Sequence, residues 1–264
     1  MTSLAIGLGL PFIRASVYNF TNTEAATAIA RMTVPPTYDQ KRAYDVWFTA
    51  HKAIGLSKFL ARYILATHDV QAAYLNLLST SFTLVPASTP VFAALSGVTG
   101  DGIDDSLSTG IQPNTNGGGI LTQNSAHLMV NVGNNLAANT TAAGCGGTFV
   151  LSIDPRRTDN LFLGIVTNTT NITATVATSV GQSMVTRTGS TTAEIRRDKT
   201  QVGTSSAAST GLPSGIINLL SRGGASAFSA ARVRSASVGA GLTSGESDAV
   251  YDADAAFFAA VGAT

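Results

Sequence analysis

A change of texture near residue 79 constrains this chain more than any other feature of its sequence. From residue 81 to 235 the chain is rich in Ser, Thr, Gly, Asn and Val, and its apolar runs are short and separated by turn residues. Such runs are too brief to carry the repeating stripe of a helix, but each suffices for one strand of an antiparallel sheet. Candidate strands fall at 82–85, 107–111, 127–132, 148–153, 161–167, 172–177, 183–188, 193–197, 200–203, 216–222 and 232–238. So many short strands predict a mainly β protein, an antiparallel two-sheet sandwich of the jelly-roll kind. A hairpin is expected around Arg197-Asp198-Lys199-Thr200 and a flexible polar loop over 205–210. Thr243 followed by Glu246 forms a capping box, and Val250, Tyr251, Phe257, Phe258 and Val261 mark a C-terminal helix that closes over the sandwich.

Before residue 79 the reading is helical. Asn22 caps a short Ala-rich helix running to Arg31, and Pro35-Pro36 breaks it. A second helix runs over 38–54, with Tyr44, Trp47 and Phe48 three and four apart. After Gly55 a third helical segment is expected from Phe59, Leu60, Tyr63 and Ile64, and Asp69 caps a fourth through residue 78. Tyr44, Trp47 and Tyr63 read as the core of a helical bundle rather than a stacking platform for sugars. His51 and His68 are ordinary helix and cap residues. Further upstream, Leu4, Ile6, Leu8, Leu10 and Phe12 alternate with small residues or Pro, which places every large side chain on one face of an extended segment. That segment is either an edge of the protein's own sheet or an arm that docks on a neighbouring subunit or particle. The chain thus divides into an arm at 1–21, a helical region at 22–80, and a β-sandwich with its closing helix at 81–264.

Charge excludes several classes of function. Only 12% of the 264 residues are charged and the net charge is +1, against about 25% charged residues in an average domain. Nucleic acid is therefore not an expected partner. No apolar stretch approaches the ~20 residues of a membrane-crossing helix, so no insertion is expected. The first residues lack a basic flank and a cleavage site, and no export signal is read. None of Asp, Glu, Lys or Arg occurs from 106 to 153; a surface so bare of charge predicts that neighbouring copies cover part of it, in a homo-oligomer.

The residues offer little catalytic chemistry. His-Glu-x-x-His, Gly-x-Ser-x-Gly, phosphate-loop and dinucleotide patterns are all missing. Cys145, the single cysteine, reads as a small buried residue, and Gly144, Gly146 and Gly147 as a tight turn before a strand at Thr148. Asp101, Asp104 and Asp105 fit an Asx-turn better than a Ca²⁺ site or a glycosidase pair. Arg156-Arg157, Arg196-Arg197 and Arg232 with Arg234 read as solvated turn residues, with an acidic-polysaccharide patch as the rival. Asn134-Asn135 and the loop 168–171 read as plain surface loops, with sugar contacts as the rival. No catalytic, cofactor or metal residue is assigned, and no glycan-binding residue.

Several runs carry a resemblance. Thr33-Val34-Pro35-Pro36-Thr37, then Tyr63-Ile64-Leu65-Ala66-Thr67-His68-Asp69-Val70-Gln71-Ala72-Ala73 with Leu75-Asn76, resemble a segment common in structural proteins of tailed phages and prophages, including those of alphaproteobacteria. Thr99-Gly100-Asp101-Gly102, Leu107-Ser108-Thr109-Gly110, Pro113-Asn114-Thr115 and Thr122-Gln123-Asn124-Ser125-Ala126-His127-Leu128 look like the opening strands of the concanavalin A-like, laminin-G-like domain in those proteins. The hairpin at Arg197 and the ending at 242–261 are similar to that domain's hairpin and closing helix. The likeness spans roughly 20–262, and its most specific parts are His68-Asp69 and Gln123-Asn124-Ser125-Ala126-His127. It implies a non-enzymatic virion protein, a head spike, head fibre or tail fibre subunit, or its counterpart in a gene transfer agent. The implied partners are further copies, capsid, portal or fibre subunits, and host-surface polysaccharide. The implied location is the particle, assembled in the bacterial cytoplasm. The family supplies no catalytic residues to carry over, and lectin-like sugar binding follows from the fold alone. A stand-alone carbohydrate-binding module and a polysaccharide-degrading enzyme are the alternatives.

Overall fold

The computed structural model describes residues 17–264. Leu4, Ile6, Leu8, Leu10 and Phe12, the expected docking residues, lie outside the described residues.

Helix α1 (Thr23–Ala30) and helix α2 (Tyr38–Ile54) form where the spacing predicts them. Thr37 starts α2 through a capping box with Gln40, which satisfies two N–H groups left over at the helix start. Asn22 stands at the cap position of α1 but does not cap it. Its amide instead donates to the Asp45 carboxylate and carbonyl, both at 2.9 Å, and so ties the start of α1 to α2.

The third helix is not formed. Residues Phe59–Ile64 are strand β1, antiparallel to β15 (Arg232–Gly239). The run is apolar on both faces, so its period does not separate strand from helix; burial on two sides decides. Ala61, Tyr63 and Leu65 enter the sandwich core, while Ile64 and Ala66 pack with the helices. Tyr63 therefore belongs to a different core from Tyr44 and Trp47. At Gly239 a Cβ would stand 2.1 Å from the Lys58 carbonyl oxygen, so only glycine lets β1 come this close. The fourth helix, α3 (Val70–Tyr74), is capped by Asp69 as expected but ends early. Beyond it the buried Asn76 accepts from the Arg62 and Leu78 N–H groups and donates to the Leu60 and Ser81 carbonyls, which commits the backbone to a non-helical path.

The remaining strands are β2 (Val85–Ala87), β3 (Val91–Ala93), β4 (Gly97–Thr99), β5 (Ser106–Ser108), β6 (Ala126–Val132), β7 (Ala143–Cys145), β8 (Val150–Asp154), β9 (Leu161–Asn168), β10 (Ile172–Thr175), β11 (Gly181–Gly189), β12 (Thr192–Arg197), β13 (Thr200–Ser205) and β14 (Asn218–Leu219); a short helix, α4 (Pro113–Asn116), lies between β5 and β6. One sheet of eight strands runs β13-β12-β11-β6-β15-β4-β3, with β1 also on β15. The other, of seven, runs β10-β9-β8-β7-β14-β5-β2, and all pairings within both are antiparallel. The fold is thus a jelly-roll sandwich with helices on the outside of the larger sheet. The glycine cluster is not only a turn, because Gly144 and Cys145 already belong to β7.

Strand β6 is buried along its whole length. Leu128, Val130 and Val132 face the second sheet, and Met129 faces the helical side. Burial within one chain thus accounts for part of the charge-free run.

Helix α5 (Ser244–Val261) begins with the expected Thr243–Glu246 box and ends at Gly262, whose φ of 70° favours glycine. It packs antiparallel to α2 and against β15. Asp254 accepts from Trp47 Nε1 at 2.8 Å, from Ser235 Oγ at 2.6 Å and from the Arg62 guanidinium, all of them buried. Arg62 Nε and Nη1 find no hydrogen-bond partner among the described residues; the guanidinium lies 5.2 Å from the centre of the Trp47 ring and 5.9 Å from that of Phe59, whose negative π faces take part of its charge. His51 stacks on the Trp47 ring, with ring centres 3.7 Å apart. His127 on β6 is spent on Ser237 Oγ and the Ala240 carbonyl.

Two outcomes follow. Asp254→Ala strands a buried guanidinium and is expected to cost about 3–5 kcal/mol in urea unfolding, of which Arg62→Met in the same chain recovers a large part. Burial, with Arg62 adding to it, holds His51 well below its ordinary range, and burial brings His127 down to about 4. An unfolded histidine takes its proton near 6.5, so the unfolded chain binds more protons between these values. Thermal stability should therefore fall as pH drops from about 6.5 towards 4, and His127→Gln should flatten the part of that slope due to His127.

Candidate functional site

The helices occupy the outer face of the larger sheet, and loops gather at the ends of the sandwich. One end collects residues 100–105, 133–141, 154–160, 176–180 and 222–231. They are held together by Asn134 on the Ala230 carbonyl and the Arg232 N–H, by Ser179 on Asn134 and Leu136, and by Thr140 on Ser229.

Arg156 and Arg157 stand half-buried on this rim. The Arg156 fork donates to Asn160 Oδ1 through Nε at 3.1 Å and Nη2 at 2.6 Å, and to Asn135 Oδ1 through Nη1 at 3.1 Å. Arg157 Nε reaches Asn139 Oδ1 at 3.3 Å, and Thr158 shares that oxygen. In this way the amide oxygens hold two guanidinium groups in fixed positions. Below them Asp154 accepts from Thr141 Oγ1 at 2.8 Å. Its pKa is raised by burial, which outweighs Thr141 and the nearby Arg222 and Arg157. Above the ordinary carboxylate range its charge is thus a cost to the fold. The arrangement can offer planar, charged donors to a carboxylate or to ring hydroxyls.

The other candidates fall elsewhere. Asp101, Asp104 and Asp105 offer oxygens within 4.8 Å of one another, the only such group among the described residues. Asp101 Oδ1 accepts from the N–H groups of Ile103, Asp104 and Asp105, which lowers its pKa. Buried Asp105 accepts from Thr89 and Asp101 N–H. The trio forms the Asx-turn that its spacing predicts. Asn134 and Asn168 use both amide atoms in internal hydrogen bonds, whereas Asn135 is exposed and only its Oδ1 is engaged, by Arg156 and the Ser179 N–H. Burial pushes the Cys145 thiol up to about 12, which removes it as a nucleophile.

Two basic pairs depart from the solvated reading. Arg196 and Arg197 are buried: Arg196 holds Asp248 at 2.7 Å and Glu194 at 3.2 Å, and Arg197 donates to Ser183 and to the Thr178 and Val180 carbonyls. Arg234 is half-buried, its guanidinium 4.2 Å from the centre of the Phe258 ring, and Arg232 holds the Gly133 carbonyl at 2.6 Å. Both pairs serve packing that composition does not foretell. The signature residues of the resemblance are structural too. His68 Nε2 pins the Val34 carbonyl at 2.8 Å, and Gln123 Nε2 pins Ser209 at 3.0 Å. The coupling of Asp254 with Arg62 and the carbonyl-capping role of buried Arg187 were missed. For Arg62 the signal was present, a single charge inside an apolar run.

No family model matches the chain, and no curated protein matches it significantly. Among solved structures, a mutant of Trypanosoma rangeli sialidase displaying trans-sialidase activity is similar, with TM-score 0.52 and 9% identity, over 82% of this chain and 39% of that one. Trypanosoma rangeli sialidase in complex with 2,3-difluoro-KDN gives 0.50 at 9% identity, over 80% and 38%. The binding domain of botulinum neurotoxin serotype G gives 0.46 at 9%, over 66% and 47%. The chain spans about two fifths of the sialidase's length. At such identities the likeness is one of fold, and the sialidase matches place this chain among two-sheet β-sandwiches.

Proposed function

We propose that this chain is a non-enzymatic structural subunit of a phage or phage-like particle, a head spike, head fibre or tail fibre subunit that attaches to host-surface polysaccharide. The observation that carries the reading is the division of the sandwich. One sheet is committed to a helical layer, whereas the loop rim is open and holds Arg156 and Arg157 rigidly in place. The helical layer, with the N-terminal segment, faces the particle or a neighbouring copy, and the rim faces the host. The phage-protein motifs support the particle role, and a fold shared with a sialidase bound to a nonulosonic acid analogue is in keeping with an acidic sugar as ligand. Many weak sites on one particle raise avidity without a deep pocket. Assembly takes place in the bacterial cytoplasm, with copies of the chain and capsid, portal or fibre subunits as partners.

The test joins two readouts. Particles from an induced lysogen should be labelled by an antibody to the chain, and the purified chain should bind immobilised acidic polysaccharide. Arg156→Ala with Arg157→Ala should lower that binding about tenfold or more, a loss of at least 1.4 kcal/mol per site, with little change in unfolding midpoint. Binding without particle labelling would favour the stand-alone carbohydrate-binding module. Binding unmoved by the double substitution would remove the rim as the site.

A further inference from the structure

We propose that a cavity between the larger sheet and the C-terminal half of α5 binds a neutral, polyhydroxylated ring of monosaccharide size, with Asn131, Asp198 and Arg234 as its polar contacts. The cavity has a volume of about 250 Å³, well beyond the ~30 Å³ that one water occupies in the liquid. Its sheet side is built from Asn131 near the end of β6, Gly181 at the start of β11, Asp198 in the turn between β12 and β13, and Arg234 on β15. Tyr251 and Phe258 line it from α5.

Asn131 carries the inference. It follows Met129 by two residues on β6 and so shares its helical side of the sheet, where it is only 7% exposed. Its Oδ1 is buried and has no hydrogen-bond partner among the described residues. Directly across the ladder from it stands Gln182 of β11, on the same face as Met184. The Gln182 Oε1 and Nε2 are likewise buried and unpartnered among the described residues. A buried amide left unpaired costs the fold, and native proteins keep few of them. Two side by side, one of them lining a cavity, are polar groups kept for a partner from outside the chain.

The remaining contacts say what that partner is. Asp198 Oδ1 accepts from the Gln182 N–H at 2.8 Å, and the Asp198 N–H donates to the Gln182 carbonyl at 2.8 Å, which fixes the carboxylate at the cavity and leaves Oδ2 for a ligand. A Cβ at Gly181 would stand 2.6 Å from Asp198 Oδ1, so the carboxylate fits there only beside a glycine. The Arg234 guanidinium lies over Phe258 and donates through Nη2 to the Ala263 carbonyl at 3.3 Å, while its Nε has no partner among the described residues. Asp198 and Arg234 are the charged residues of the lining, and their opposite signs favour an uncharged ligand. Acceptors on Asn131 and Asp198 and a donor on Arg234 are all met by hydroxyl groups, since each hydroxyl both donates and accepts. Hydroxyls fixed on one ring meet them with little loss of freedom on binding. Tyr251, Phe258 and the partly exposed Val180 supply apolar surface for the ring carbons. The site uses neither Arg156 nor Arg157, and it does not rest on the attachment role.

The test is a titration of the full-length protein with methyl α-D-mannopyranoside, methyl β-D-glucopyranoside and methyl β-D-galactopyranoside, followed by the side-chain amide NMR signals of Asn131 and Gln182. At least one glycoside should shift both signals with a Kd of about 1 mM or tighter. Asn131→Leu keeps the side-chain size and removes the unpaired amide, so it should weaken binding about tenfold or more while the unfolding midpoint stays level or rises. Asp198→Asn suits the left-handed backbone at that position, where φ is 52°, and should also weaken binding about tenfold. Arg156→Ala with Arg157→Ala should leave binding unchanged. Absence of a shift from all three glycosides at about 50 mM overturns the proposal, and so does binding that either cavity variant leaves intact. A midpoint lowered by Asn131→Leu shows an amide that serves the fold and overturns it as well. Binding lost in the Arg156 and Arg157 double variant moves the ligand to the rim and removes this site.

Discussion

Asp254 accepts hydrogen bonds from side chains on three other elements, Trp47 of α2, Arg62 of β1 and Ser235 of β15. A carboxylate removed from water is tolerated only where its lone pairs are met, so these partners must arrive together or not at all. This one group ties α5 to α2, to β1 and to β15. Tyr44 against Phe257 and Arg234 against Phe258 extend the same contact along the helix. Apolar burial supplies the bulk of the stabilisation, and the carboxylate selects which of many greasy arrangements is formed.

What could be read from the sequence was what local chemistry decides. The start of α2, both capping boxes, the Asp69 cap and the Asp101 turn each depend on residues within a few positions, and each is found where its pattern stands. Most long strands were legible too, since alternation and flanking turns mark them. The failures lie where distant groups decide. In β1 the apolar run fits strand and helix alike, and only the second sheet on one side and α2 on the other settle it. Strands β3, β4 and β7 are three residues each, too short for a period to register.

The candidate rim shows the same division. Arg156-Arg157 was visible as a basic pair, but Asn135, Asn139 and Asn160, which fix it, come from two loops, and no spacing in the chain announces that they meet. Arg196-Arg197 looked equivalent in sequence and is buried, because α5 brings Asp248 over it. The charge-free stretch was read as a surface shared between molecules. Part of it is β6, enclosed between a second sheet and a layer of helices, where a charge on either face would lack water.

The position of β15 has a consequence for biogenesis. It lies inside its sheet, with β6 along one edge and β4 and β1 along the other, although it is the last strand to be made. Without β15 the larger sheet is left as β13-β12-β11-β6, the β4-β3 pair and an unpaired β1, with open edges between them. Pairing across such sequence separations is slow, and unpaired edges are the surfaces by which chains aggregate. The ribosome therefore delivers the clasp last. Edges left open in this way favour aggregation over a smaller folded unit.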